Sequence, residues 1–489
     1  MPWHKRPIIY EINTWVWLAE LRARYHRSLT LGDVPKAEWD ELAALNVDAV
    51  WFMGVWQRSP AGVAVANDNA ELQAEFHRAL PDYTLADNVG SAYCIRDYVV
   101  ASELGGPEGL ARARQELARR GLRLLLDFVP NHVAPDHAWV KTHPEYFIRG
   151  TSQDLERAPQ EFIAAGENVI ANGRDPYFPP WRDVVQLNAF DPGLRAAAIE
   201  TATSIASQCD GMRCDMAMLL LNDIFAKTWG ERAGAKPETE YWRELIPAVK
   251  QKFPDVIFMA EAYWDLEYDL MQNGFDYCYD KRLYDRLKQE DAASVRGHLL
   301  AGLDYQDKLV RFIENHDEPR AAATFAPEQQ RAAAVVITTV PGAKLIYDGQ
   351  LSGRKIKLPV FLRRRAPEAK DYELDSFYHA LLKHVHADLF HDGEWHMCEC
   401  TGWSDNASFQ NLLAWTWRKE NERALIVINY SARRSQGMVQ LPWDDLHGNI
   451  WRLSDSLNGD VFLRDGERLS ASGLFVDLDA WRYHVLAFG

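Results

Sequence analysis

Between Ile8 and about Tyr347, short apolar runs alternate with stretches whose apolar residues recur at helical spacing. That is the pattern of parallel βα units: a strand covered on both faces is apolar along its length, whereas the helix covering it needs only one apolar stripe. The clearest unit opens with a strand at 47–52. A long loop follows, then a helix at 107–120 with Pro107 at its start and Gly121 just past its end, then a strand at 122–128. Further strands are expected at 8–12, 211–215, 256–261, 275–279, 310–315 and 344–347. Eight such strands predict a (β/α)8 TIM barrel, whose functional groups gather at the C-terminal strand ends.

Two regions depart from this rhythm. Residues 133–183, after the third barrel strand, are rich in Pro, Gly, Asn and aromatics and read as an insertion over the functional face. After about residue 390 the pattern changes to short alternating strands, such as Leu412-Leu413-Ala414-Trp415-Thr416-Trp417 and Ala424-Leu425-Ile426-Val427-Ile428, which predict an antiparallel β-sandwich. The expected organisation is a barrel at 1–132 and 184–389, an inserted domain at 133–183 and a C-terminal β domain at 390–489.

Composition narrows the function. A chain of 489 residues that is 47% hydrophobic can bury a large core, so a catalytic domain with smaller additions is expected rather than a small binding module. The net charge of −16 and the lack of an extended basic stripe disfavour nucleic acid as a partner. No apolar stretch approaches the roughly 20 residues needed to span a bilayer. The start, Met1-Pro2-Trp3-His4-Lys5-Arg6-Pro7, runs into the first strand without an apolar core or cleavage site of the secretory kind, so a cytoplasmic location is expected. Six scattered cysteines without a repeated CxxC pair argue for reduced thiols over a disulfide framework or zinc site. No feature sets the oligomeric state.

Four apolar runs end in acidic groups: Leu126-Asp127-Phe128-Val129-Pro130-Asn131-His132, Gly211-Met212-Arg213-Cys214-Asp215, Phe258-Met259-Ala260-Glu261 and Ile313-Glu314-Asn315-His316-Asp317. Burying an unpaired ion costs on the order of several kcal/mol, so an aligned set of carboxylates at strand ends points to chemistry.

At these four segments the chain resembles the α-amylase family of glycoside hydrolases (family 13), whose motifs read roughly DxxxNH, GxRxD, an isolated strand-end Glu, and NHD. Supporting matches are Gln186-Leu187-Asn188, Asp97-Tyr98, and Pro341-Gly342 with Tyr347, Gly349 and Gln350. The resemblance implies a retaining mechanism, and no cofactor or metal is expected. Asp215 would be the nucleophile, Glu261 the acid/base and Asp317 the stabiliser of the distorted sugar. Arg213, two residues before Asp215 and so on the same side of the strand, would hold the nucleophile ionised. His132 and His316 would bond sugar hydroxyls, and Tyr93 would form the platform for the ring. Asp127 would be a scaffold residue, though a strand-end Asp also caps helices. For Glu261 to keep its proton, burial and the charges of Asp215 and Asp317 must raise its pKa.

Other features are read both ways. Trp56, Trp181 and Trp264 are sugar platforms or packing residues. The cations at 354–357 and 363–365 bind an anionic sugar or, with more weight, pair with nearby acids. Arg320 pairs with Glu318 or with a substrate group. Cys214 is a buried spectator.

Two departures from the family pattern shape the expected substrate. Calcium-dependent relatives follow the nucleophile with a Lys-His pair, but here the sequence is Met216-Ala217-Met218-Leu219-Leu220, which argues against that calcium site and against long-chain starch. Glucose-releasing relatives carry an Asp after the platform tyrosine, but here it is Cys94. The expectation is hydrolysis of short α-glucosides or oligosaccharides. The alternatives are a transglycosidase using the same covalent intermediate, or a non-catalytic sugar-binding protein of the same fold. A metal hydrolase using His132, Asp215, His316 and Asp317 is disfavoured because no HxH pair follows the first strand and no HExxH motif is present.

Overall fold

The computed structural model describes residues 3–289 and 292–489; Met1 and Pro2, where the sequence reading of the chain start begins, lie outside the described residues. Eight parallel strands close into a barrel: β1 (Ile8–Asn13), β2 (Ala49–Met53), β3 (Arg123–Phe128), β4 (Gly211–Cys214), β5 (Ile257–Ala260), β6 (Tyr277–Tyr279), β7 (Leu309–Arg311) and β8 (Ala343–Tyr347). β8 pairs back onto β1, from Ile8 opposite Lys344 to Glu11 opposite Tyr347. Every strand falls where an apolar run predicts one. Strands β1, β2, β4 and β5 are buried at all positions, as covering on both faces requires.

Two departures from expectation have local causes. The supposed long loop between β2 and the helix Gly106–Ala118 has structure of its own: strands Trp56–Arg58 and Ile95–Val100 pair antiparallel around two helices, Pro60–Asp68 and Ala70–Ala79. Their starts are capped, since Ser59 accepts from the Gly62 N–H and Asn69 from those of Glu71 and Leu72. The helices are short and alanine-rich, so their apolar period is faint. β7 is shorter than predicted because its pairing with β8 ends at Arg311 opposite Lys344. The chain then curls into a turn in which Asn315 Oδ1 accepts the N–H groups of Asp317 and Glu318, each at 2.9 Å.

Over the C-terminal ends of the strands, an antiparallel sheet orders the segments His132–Val133, Trp181–Gln186, Asn168–Gly173 and Arg149–Gly150, with Phe162–Ala165 also on Asn168–Gly173. It is tied to the barrel at Gln186, whose buried side chain donates to Asn131 O at 2.9 Å and Asn131 Oδ1 at 3.0 Å. The C-terminal part forms a six-stranded and a three-stranded antiparallel sheet. Both sheets contribute to one core, with Leu425, Val427 and Leu486 from the first meeting Val439, Val476 and Leu478 from the second. Among the described residues no helix is long and apolar enough to cross a membrane.

Barrel closure depends on one close approach. Gly342, just before β8, has φ +103°, and a Cβ there would lie 2.3 Å from Leu309 O. Gly342→Ala is expected to cost roughly 2–4 kcal/mol through left-handed strain and overpacking. A fall in the urea midpoint of the purified variant checks this; an unchanged midpoint would show that β7 and β8 yield at no cost.

Candidate active site

Strand register brings the acids together. Arg213 in β4 lies opposite Asp127 on β3 and Met259 on β5. In-register neighbours of a parallel sheet face the same side, so Asp127 and Arg213 both point inward, and Asp215 follows two residues on. The Asp215 N–H donates to Phe128 O and the Glu261 N–H to Cys214 O, which continues the ladder one residue past each strand and fixes both carboxyls at the rim.

One guanidinium joins them. Arg213 Nη1 donates to Asp215 Oδ1 at 2.7 Å, while Nη2 forms an ion pair with Glu261 Oε2 at 2.8 Å without hydrogen-bond alignment. Asp127 and Asp317 approach the same group to 3.7 and 3.9 Å. The guanidinium is fully buried, 5.0 Å from the Tyr93 ring and 5.3 Å from that of Trp51. Glu261 is also held from outside the strand. Met216, in a left-handed conformation at φ 43°, turns its N–H onto Glu261 Oε2 at 2.6 Å, and the Tyr263 hydroxyl donates to Oε1 at 3.1 Å.

The carboxyls differ in their hold on a proton. Burial pushes Glu261 up to about 7, opposed by Arg213 and assisted by the charges of Asp215 and Asp317. Burial pushes Asp215 up to about 6, opposed by Arg213 and by its direct hydrogen bond. Asp127, 1% exposed, is raised to about 6 by burial; its Oδ2 accepts the Gly54 N–H at 3.2 Å, and it caps no helix. Asp317 goes the other way. Partial desolvation would raise it, but His316 outweighs this and holds it down at about 2. Its side chain is 41% exposed.

His316 bridges two acids, with Nδ1 on Glu11 and Nε2 2.8 Å from Asp317 Oδ2 and 2.6 Å from the Tyr93 hydroxyl. Burial would lower its pKa, but Asp317 and Glu11 together raise it to about 10, so the ring is a cation at neutral pH. His132 is the opposite case: burial lowers it to about 4, leaving a neutral ring.

A cavity of about 320 Å³ opens above these groups. Asp215, Glu261, Asp317, Tyr93 and His132 line it, whereas Arg213 and His316 lie behind its wall and act through the acids they touch. A second cavity of about 410 Å³ shares Met216 and Tyr263 with the first and adds Phe178 and Trp264. Of the three tryptophans read both ways, Trp181 lines the first cavity and Trp264 the second. Trp56 is buried, donating to Asp127 O at 2.7 Å.

The structure adds groups that the sequence reading missed. Glu11, in β1, and Tyr263 had no motif around them. Asp183 lines the first cavity from the inserted sheet, and burial raises it to about 6. Its backbone oxygen accepts from the Cys94 thiol at 3.0 Å, so the position where an acid was looked for and not found touches an acid from another segment. Arg320 does not pair with Glu318: it pairs with Glu314 at 2.9 Å and donates to Asp348 O at 2.8 Å, while Glu318 faces Lys281 at 3.3 Å. Burial of Glu314 in the wall beneath draws the arginine inward. Half of the basic run is paired with acids: Arg354 and Arg365 with Glu20, and Arg364 with Asp82 and Asp87. Lys357 donates to Asp317 O. Cys214 is fully buried.

This barrel, with its four acids around a strand-borne arginine, defines the class of protein. Residues 38–440 match the family described as alpha amylase, catalytic domain, and the chain belongs to that family (glycoside hydrolase family 13). Among curated relatives, alpha-amylase MalA of Haloarcula japonica is 24% identical over 441 residues, covering 88% of this chain and 56% of that protein. The chain thus spans little more than half the length of that relative. An alpha-1,4-glucan:maltose-1-phosphate maltosyltransferase of Streptomyces coelicolor is 31% identical over 180 residues, or 36% of this chain and 22% of that protein. Among solved structures, the maltogenic alpha-amylase AmyB of Thermotoga neapolitana superposes with a TM-score of 0.70 at 20% identity, covering 99% of each chain.

Removing Arg213 leaves buried acids without their counter-charge. Arg213→Ala is expected to lower stability by roughly 3–5 kcal/mol near neutral pH. The loss should be smaller at about pH 5, because carboxyls whose folded pKa is raised are stable with their protons on and lose that stability as pH rises. Denaturant unfolding at the two pH values checks this; an equal loss at both would mean that the acids stay charged without the arginine.

Proposed function

We propose that the chain is a retaining glycosidase of short α-glucosides or oligosaccharides, with Asp215 as nucleophile and Glu261 as acid/base. The observation that carries the reading is that one buried guanidinium holds both carboxyls at the floor of one cavity while giving them different surroundings. Asp215 receives a charged hydrogen bond that favours its anion, as attack on an anomeric carbon requires. Glu261, raised to about 7, retains a proton for the departing oxygen.

In the first step Asp215 bonds to the anomeric carbon as the glycosidic bond breaks, and the Glu261 proton passes to the leaving oxygen. In the second, Glu261 takes a proton from water, whose oxygen displaces Asp215 and restores both groups. Asp317, kept ionised by the His316 cation, faces the positive charge that develops on the sugar ring. Tyr93 offers a ring face to the sugar, and His132, being neutral, can both donate and accept at a hydroxyl.

The small size of the first cavity supports a short substrate, since it lies at the lower end of ligand sites. The adjoining cavity beyond Glu261 gives room for the leaving sugar. Transfer to a second sugar instead of water is the second reading, favoured by the matching maltosyltransferase segment.

The kcat/KM profile is expected to be a narrow bell with its maximum between about 6 and about 7. Asp215 must lose its proton on the acid side and Glu261 must keep its own on the alkaline side, the two limbs belonging to the interacting pair. Asp215→Asn should reduce turnover by roughly 10³-fold or more with the circular dichroism spectrum unchanged. Products from a panel of α-linked disaccharides and maltooligosaccharides, resolved by chromatography, decide between the readings. Dominant transfer products at low acceptor would replace hydrolysis by transglycosylation, and an active Asp215→Asn variant would remove the mechanism.

A further inference from the structure

At the opposite end of the barrel, side chains far apart in sequence surround one carboxylate. Asp48 stands just before β2, 7% exposed, with Oδ2 accepting the Ile8 N–H at 2.6 Å. His391, 1% exposed on the short helix Asp388–Asp392, brings Nε2 to 2.9 Å from the same oxygen. His386, at the end of the helix Tyr372–Val385, points Nδ1 at the other oxygen, Oδ1, from 3.7 Å.

We propose that Asp48, His386 and His391 form a binding site for a divalent transition-metal ion of the zinc class. Three features of the geometry carry it. One ligand atom from each residue lies within 4.8 Å of the others, and the two imidazole planes cross at 83°, so their nitrogens approach from different directions. Nδ1 of His386 is buried and makes no hydrogen bond, so its desolvation is uncompensated by any protein group. Its 3.7 Å separation from Asp48 is too long for a hydrogen bond but close to the roughly 3.3 Å between donors that each sit about 2.0–2.1 Å from a tetrahedral ion.

Two imidazoles and a carboxylate suit zinc, cobalt or nickel, and would disfavour the harder calcium and magnesium. Binding requires Nε2 of His391 to give up its hydrogen bond to Asp48 and present a lone pair to the ion. His4 stacks on His391 at 4.2 Å and brings its own Nε2 to 3.9 Å from Asp48 Oδ1. The fourth position is left to water. Asp388 and Asp392 lie on the same short helix, and Asp392 also meets the His4 ring at 3.5 Å, adding negative charge nearby. An ion here would tie the start of β2 to the helical segment that leads into the C-terminal sheets. The two histidines are five residues apart, but Asp48 lies far earlier in the chain, so the sequence does not show the three together.

The test uses the full chain, stripped with chelator and then titrated with zinc chloride by calorimetry and with cobalt chloride by visible absorption. The expected result is one equivalent of zinc, cobalt d–d bands of a low-coordinate site and a rise in Tm with zinc. His386→Ala, and His386→Gln as a second variant, should weaken zinc binding at least tenfold and remove the Tm rise, with glycosidase activity in chelator unchanged. His484→Ala, in the separate Asp455, Asp460 and His484 group, should bind zinc as the wild type does. No uptake by the wild type, or uptake that survives both His386 variants, overturns the proposal and leaves a hydrogen-bonded histidine cluster.

Discussion

A fully buried guanidinium has to be neutralised, and the architecture of the active face follows from how that is done. Arg213 sits within a barrel strand with no water to solvate it, so acids must come to it, and each comes from a different strand or strand end. More acids arrive than one cation can balance. The surplus is absorbed in two ways: burial raises Glu261, Asp215 and Asp127 toward neutrality, and the His316 cation, itself shared with Glu11, keeps Asp317 ionised. Carboxyls that hold a proton near neutral pH and one that stays ionised therefore arise from the same shortage of positive charge.

Much of this was legible in the sequence because parallel strands buried on both faces write themselves as unbroken apolar runs, and a charge at the end of such a run is conspicuous. The alternation of faces along a strand was enough to put Arg213 and Asp215 together, and the family resemblance supplied Tyr93, His132, His316, Glu261 and Asp317 as one group. Other parts could not be read. Glu11 lies in the first strand among apolar neighbours with no motif to mark it, yet together with Asp317 it raises the pKa of His316. Asp183 reaches the cavity only because the inserted sheet folds back over the barrel. The helices before residue 100 were missed because they are short and alanine-rich, and their cap residues are visible only to a reader already looking for helices. Arg320 was read as a partner of Glu318 or of a substrate group, but it pairs with the buried Glu314, which no motif marks.

The two ends of the barrel divide the work. Strand ends on one side carry the acids and face a cavity bounded by the inserted sheet, while the other side carries the turns that close the barrel, including Gly342, and the histidines around Asp48. Substitutions on the first side should change chemistry and on the second stability, which is the usual division of labour in this architecture. Family membership at low identity fixes the fold and the general chemistry. The identity of the sugar depends on the walls of the cavity, where Asp183 and Met216 supplement the groups expected there, with Cys94 buried behind Asp183.

The central claim is that Asp215 bonds to the sugar while Glu261 shuttles the proton. The most direct measurement is to react the protein with a fluorinated α-glucosyl fluoride, whose glycosyl-enzyme intermediate breaks down slowly, then digest it and locate the added mass by tandem mass spectrometry. The account predicts one glycosyl group, esterified to Asp215. A label on Glu261 or Asp317, or turnover of natural substrate with inverted configuration at the anomeric carbon and no label, would contradict it.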